Sequence, residues 1–268
     1  MRRRTFIEYS SQLGMMSLLP ASAHYSISEH LDIVPLIKSL ELMTQAPLAD
    51  MKSFYADLLG FPLLESSDST LMFKAGHSTL TFIKDLSTSS RPFYHFAFNI
   101  PENKIERAFE WQRKKTPVIH PSPSGPLDEI THFPHWNAHS VFFLDPAGNL
   151  VEYIARHDLK NGRKGPFSFN DILCLSEIGF IVEDVRAAGN AALDHLPMPE
   201  YKPMTNNFWP LGSENGLLLF IEKGKEWRAH SGQRNVTDIF KTKVGVSLYA
   251  KLPWNLTGFP YEIFHELR

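Results

Sequence analysis

The sequence predicts an α+β fold assembled from repeated βαβββ units. Three observations carry this. The order strand, helix, strands occurs between residues 37 and 84 and again between residues 94 and 156. Within each stretch the hydrophobic period changes from two to about 3.6 and back, as strands give way to a helix and return. The stretch His139 to Arg156, HSVFFLDPAGNLVEYIAR, reads as strand, tight turn, strand.

Each element has a local reason. Ile37 to Met43 alternates as a strand. Leu48, Met51, Phe54, Tyr55, Leu58 and Leu59 then fall on one helical face, and Gly60 closes that helix as a C′ glycine would. Phe61 to Glu65, Thr70 to Lys74 and Thr79 to Lys84 are short strands separated by Ser, Asp and Gly turns. The second unit repeats the order. Tyr94 to Ile100 is its first strand, Pro101 opens a turn, and Ile105, Ala108 and Phe109 mark a helix to about Lys115. Thr116 to His120 is expected as a strand, followed by a loop from Pro121 to Phe133 and the His139 to Arg156 hairpin.

Asp145-Pro146-Ala147-Gly148 has type I turn chemistry. Asp bonds back to the backbone, Pro fixes φ, and Gly closes the fourth position. Beyond the turn, Glu152 stands between residues that belong in a core. Burying an ionised carboxylate costs several kcal/mol unless a cation, metal or donors meet it.

Asn161 to Pro166 has linker composition. A third unit follows, with a strand at Cys174 to Val182, Asp184 as N-cap, and Val185, Ala188, Ala192, Leu193 and Leu196 at helical spacing. Phe208 to Leu211, Leu217 to Glu222, Gly245 to Lys251 and Phe259 to Phe264 read as strands, without a complete fourth helix-bearing unit.

The chain starts with a basic Arg2-Arg3-Arg4, a mild apolar run from Leu13 to Leu19, and Ala21-Ser22-Ala23. That pattern predicts a cleaved leader over residues 1–23 and an exported, periplasmic protein. Arg3-Arg4-x-Phe6-Ile7 resembles a twin-arginine signal. Residues 24–34 read as a linker. The net charge of −2 gives no electrostatic case for nucleic acid or an anionic membrane. The single cysteine, Cys174, excludes an intramolecular disulfide and reads as a small buried hydrophobe.

The Asp-Pro-x-Gly-Asn turn leading to Glu152, together with Phe54-Tyr55-x-x-x-Leu59-Gly60-Phe61, resembles the vicinal-oxygen-chelate superfamily. That group holds glyoxalase I, extradiol dioxygenases, fosfomycin-resistance enzymes and bleomycin-binding proteins. The resemblance implies that two units, residues 35–158, form one cupped domain, with residues 170–268 a divergent half of the same type. It further implies a divalent metal (Fe, Zn, Mn or Ni), with ligands on the first and last strands of each unit. His95 and Glu152 match two such positions. Ser39 falls at a third and Leu80 or Thr81 at the fourth, none of them a usual ligand.

His139 is the first choice to complete the set. His135 and Trp136, in the imidazole-rich run from His132, are candidate substrate contacts together with Ser39. Glu177, at the first-strand position of the third unit, is read as structural or solvated, and Trp209 and Trp227 as core. The expected activity is that of a metal-dependent lyase or ring-cleaving dioxygenase, with Glu152 in the catalytic centre. The alternative is a metal-free protein that holds a small molecule in the same cup. A small molecule is the expected partner in either case. A homodimer is allowed, and no membrane association is expected after leader removal.

Overall fold

The computed structural model describes residues 35–87, 91–248 and 252–266. The expected leader and the whole linker after it lie outside these. Strand β1 (Ile37–Thr44) leads into α1 (Leu48–Lys52), which runs on as one π-helical turn (Ser53–Leu58) carrying the buried Phe54 and Tyr55. Gly60 ends the turn at φ +81°, the left-handed cap its position predicts. Strands β2 (Leu63–Ser66), β3 (Thr70–Ala75) and β4 (Ser78–Lys84) complete the unit.

The second unit holds β5 (His95–Ile100), α2 (Ile105–Gln112), β6 (Thr131–Phe133), β7 (Ala138–Leu144) and β8 (Leu150–Arg156). Thr116 to His120 is not a strand. Pro117 has no N–H to give a ladder, and one bridge, Ile119 to Phe142, is what forms there. The third unit holds β9 (Cys174–Val182), α3 (Val185–His195), β10 (Phe208–Ser213) and β11 (Gly216–Glu222). Asp184 caps α3, its carboxylate accepting from the Ala187 amide at 2.9 Å. A small hairpin, β12 (Glu226–Arg228) and β13 (Arg234–Val236), precedes β14 (Thr242–Val246), β15 (Trp254–Asn255) and β16 (Tyr261–His265).

These strands make two seven-stranded sheets. The first runs β15-β16-β14-β1-β4-β3-β2 and the second β10-β11-β9-β5-β8-β7-β6. The first two units therefore do not pair with each other. The second unit joins the third through antiparallel β5 and β9, and the first joins the C-terminal strands through β1 and β14. One face of each sheet packs into a common core: Leu40, Leu42, Leu80 and Phe82 from the first, Phe96, Phe98, Tyr153 and Phe180 from the second. Across it Phe61 meets Phe98 at 5.3 Å, and the Tyr55 hydroxyl donates to the Asp145 carboxylate at 2.8 Å.

The opposite faces differ. β3 alternates between buried and half-buried residues, as expected with solvent on one side, whereas every residue of β5, β8 and β9 is buried. The second sheet is covered on both faces, and a hollow lies on the face turned away from the common core. No helix among the described residues is long and apolar enough to cross a membrane.

Candidate metal centre

The turn at residues 145–148 sets the register of the site. The buried Asp145 carboxylate accepts from the amides of Ala147 (2.9 Å) and Asn149 (3.0 Å) and from the Asn149 side chain (2.7 Å). Gly148 takes φ +85°, and its amide donates to the Asp145 carbonyl at 2.9 Å. With the turn fixed, Phe142 lies opposite Glu152 and His139 opposite Ala155. Residues that pair across a sheet share a face, and that face changes with each residue. Phe142 and Glu152 therefore face the hollow, and His139 points to the other side.

His139 thus does not complete the set. Its ring stacks on His132 at 4.3 Å, and its Nδ1 lies 2.8 Å from Nε2 of His157. His135 is exposed on the 3-10 turn Pro134–Trp136. Ser39 sits in the first sheet, where its hydroxyl donates to Glu266. Trp136 does line the hollow, and so does Trp227, which the sequence reading put in the core. Trp209 is core as expected, buried against Gly189 with its indole N–H on Glu200. Cys174 is buried and free.

The group that comes together is His95, Glu152 and Glu177. Parallel pairing sets Ala97 beside Glu152, and antiparallel pairing sets Ala97 beside Glu177. The two carboxylates thus flank a residue without side-chain bulk, two positions along β5 from His95. His95 Nε2 lies 3.4 Å from Glu152 Oε2 and 3.8 Å from Glu177 Oε2, and one donor atom from each residue falls within 4.8 Å of the others. All three are buried, His95 at 8% exposure and the two glutamates at 3%. The role of Glu177 had a signal in the sequence. It is a carboxylate inside an apolar strand, the same oddity that singles out Glu152.

Supporting contacts aim these donors. His95 Nδ1 lies 3.1 Å from the Leu150 carbonyl, which can only accept, so Nδ1 carries a proton and Nε2 faces the carboxylates. Glu177 Oε1 accepts from Nη2 of Arg156, a guanidinium only 1% exposed, which leaves Oε2 for His95. Arg156 Nε donates to Asn99 Oδ1 at 3.2 Å, and its guanidinium carbon lies 5.5 Å from the Trp136 ring centre and 5.7 Å from that of Tyr201.

Burial and mutual charge shape the ionisation. Burial, then repulsion by Glu177, pushes the Glu152 carboxyl up to about 7 against the pull of His95 and Arg156. Burial opposes charge on Glu177 as well, but Arg156 and His95 outweigh it and hold its pKa below the usual value. Desolvation would lower the His95 pKa, yet the bond to Glu177 and the two carboxylate charges leave it raised.

The donor set fits a divalent ion. Donors each about 2.0–2.2 Å from one ion stand no more than about 4.4 Å apart, and both His95 separations meet this. An imidazole that gives its other N–H to a backbone carbonyl is the usual support for a ligating histidine. The register also names a fourth position. Gly179 pairs with Leu219 as Ala97 pairs with Glu152, so the residue matching Glu152 in the third unit is Leu219, which cannot ligate.

Above these groups lies a cavity of about 290 Å³. Phe133, Trp136, Phe142, Phe208 and Trp227 give it aromatic walls, with Leu150, Ile154, Leu219 and Ile221 between them. Trp227 closes it edge-on to the His95 ring at 5.8 Å. The hairpin bearing Trp227 is held down by Arg228, which donates to the carbonyls of His120, Ser122, Pro123 and Gly125, and by His230 Nε2, 2.8 Å from the Asp145 carbonyl.

Among solved structures, a provisionally named dioxygenase from Bacillus subtilis subsp. subtilis str. 168 is similar at 13% identity and a TM-score of 0.54, over 78% of this chain and 69% of that one. A glyoxalase I variant from Zea mays aligns at 14% identity and a TM-score of 0.47, over 80% and 75%. A glyoxalase/bleomycin resistance protein/dioxygenase from Nocardioides aligns at 22% identity and a TM-score of 0.36, over 49% and 89%. At these identities the first likeness speaks for the fold alone. No curated protein sequence matches. Residues 42–153, reaching from β1 to Tyr153 beside Glu152, match the profile of the Glyoxalase/Bleomycin resistance protein/Dioxygenase superfamily.

Proposed function

We propose that His95, Glu152 and Glu177 hold one divalent metal ion at the floor of the cup, and that the protein acts on a small oxygenated molecule whose apolar body fits the aromatic cavity. One observation carries this reading: three buried donors converge beneath an apolar hollow, with His95 and Glu177 each aimed by a second contact. One imidazole and two carboxylates suit Fe²⁺ or Mn²⁺ ahead of Zn²⁺ or Ni²⁺. A bound ion would supply Lewis-acid polarisation of substrate oxygens, as lyase and oxygenase chemistry both require. The walls would exclude water and hold a flat, apolar group against it. Leu219 in place of a fourth donor leaves room for substrate or water.

Metal titration tests this. Chelator-treated protein should take up Mn²⁺ or Co²⁺ at a ratio of about one per chain, and His95→Ala and Glu152→Ala should lose that uptake while staying folded. The Arg156 charge beside Glu177 favours a second reading, a metal-free binding protein. Undiminished binding of an apolar aromatic probe by protein that takes up no metal would select it.

The N-terminal pattern supports export, which we also propose. Mature protein still reaching the periplasm after Arg3→Lys with Arg4→Lys would refute the twin-arginine route.

A further inference from the structure

Arg156 is the charged group of the cluster that offers no ligand atom to the ion, and its own charge is not yet accounted for. It lies on β8 four residues after Glu152, on the same face, and reaches across β5 to Glu177 on β9. It is fully buried, and its other contacts are Asn99 on β5, the Tyr201 hydroxyl, to which Nη1 donates at 3.5 Å, and the rings of Trp136 and Tyr201. A buried guanidinium close to a cation site works against cation binding unless its charge is fully answered. Here one carboxylate oxygen answers it, while the other faces His95.

We propose that Arg156 and Glu177 act as one charge-compensated donor. Arg156 is then a positioning residue that makes Glu177 behave towards an ion as a neutral ligand would. The inference rests on the metal reading above. It gives the donor set a net charge of about −1, from Glu152 alone, since His95 ligates in its neutral form. Its formal charge is that of two neutral donors with one carboxylate, the balance found in two-histidine, one-carboxylate Fe²⁺ sites. It also explains how two glutamates and an arginine coexist in so dry a place. Asn99 ties the arrangement to the neighbouring loop, donating to the Glu214 carbonyl at 2.7 Å and to Asn215 at 2.9 Å.

The test is a rescue, read by Co²⁺ titration calorimetry and by the visible spectrum of the bound ion. Glu177→Gln keeps the shape but strands the guanidinium, and should weaken Co²⁺ binding about 100-fold or more. Adding Arg156→Gln removes the stranded charge and should restore binding to within about tenfold of the parent. Were Arg156 a plain structural prop, the second substitution would leave binding no better or make it worse, and that result overturns the inference while the metal centre stands. A parent protein that binds no Co²⁺ overturns the metal reading and the inference with it. If the double glutamine variant does not fold, Glu177→His with and without Arg156→Met gives the same comparison with the same criterion.

Discussion

The two sheets share one plan, and among the described residues only the second brings three possible metal donors together. In each, a central strand is flanked by a parallel strand of its own unit and an antiparallel strand of another: β4-β1-β14 in the first, β8-β5-β9 in the second. Overlaying the registers sets Ser39 on His95, Thr81 on Glu152, Glu41 on Ala97 and Lys243 on Glu177. Where the second sheet has three donors around an alanine, the first has a hydroxyl pair and a half-exposed lysine. That lysine lies 3.9 Å from Glu41 and 3.4 Å from Glu262. The comparison teaches that the fold supplies converging positions and nothing more. A site needs donors there, a small residue between them, and a cover to keep them dry.

The largest expected difference between the sheets lies in their ion pairs. Arg156→Met leaves Glu177 buried and uncompensated, and should cost about 3–5 kcal/mol of stability. Lys243→Met, at a half-exposed pair, should cost no more than about 1 kcal/mol. Chemical denaturation of both variants checks this. Equal costs would mean that the second sheet is as open to solvent as the first.

The hairpin turns should differ less. Gly76, between β3 and β4, has φ +60°, and a Cβ there would lie 2.1 Å from the Leu173 carbonyl oxygen. Gly148, in the matching turn, has φ +85° but open space, with Asn235 3.7 Å away as its nearest neighbour. Gly148→Ala should therefore cost about 1–2 kcal/mol through strain alone, and Gly76→Ala clearly more. Melting temperatures in the reverse order would contradict the packing described here.

What the sequence discloses follows the range of the interactions involved. The 145–148 turn was legible because Asp145, Pro146 and Gly148 act on their own backbone. The β9 strand and the Asp184 cap were legible for the same reason. His95 and Glu152 were reached through resemblance, and the structure brings them together. The pairing of β5 with β9 was not legible, since it joins segments separated by a linker and carries an irregularity between Ala97 and Phe98. Without that pairing, Glu177 reads as structural or solvated, and nothing in the sequence singles out Arg156. The face of His139 was legible in principle, because the turn fixes its parity relative to Glu152.

The smallest expected effect is on the back of the second sheet. Desolvation, then the neighbouring His132 and His157, lowers the pKa of His139 below its ordinary value of 6.5. A lowered histidine pKa disfavours protonation in the folded state. Stability is thus fully present above about pH 6.5 and declines as pH falls below it. His139→Asn should flatten that acid-side decline slightly, as read from melting temperature between about pH 7 and pH 5. An unchanged slope would mean that the outer histidines do not interact in solution.

The central claim is that the second sheet, and not the first, is a metal centre. Its most direct test is the metal content of natively purified protein, measured by mass spectrometry for the parent, Glu152→Ala and Thr81→Ala. The account predicts about one divalent ion per chain in the parent and in Thr81→Ala, and none in Glu152→Ala. A parent without metal, even after exposure to Fe²⁺, Mn²⁺, Zn²⁺ and Ni²⁺ in turn, or a Glu152→Ala protein that keeps its ion, would contradict it.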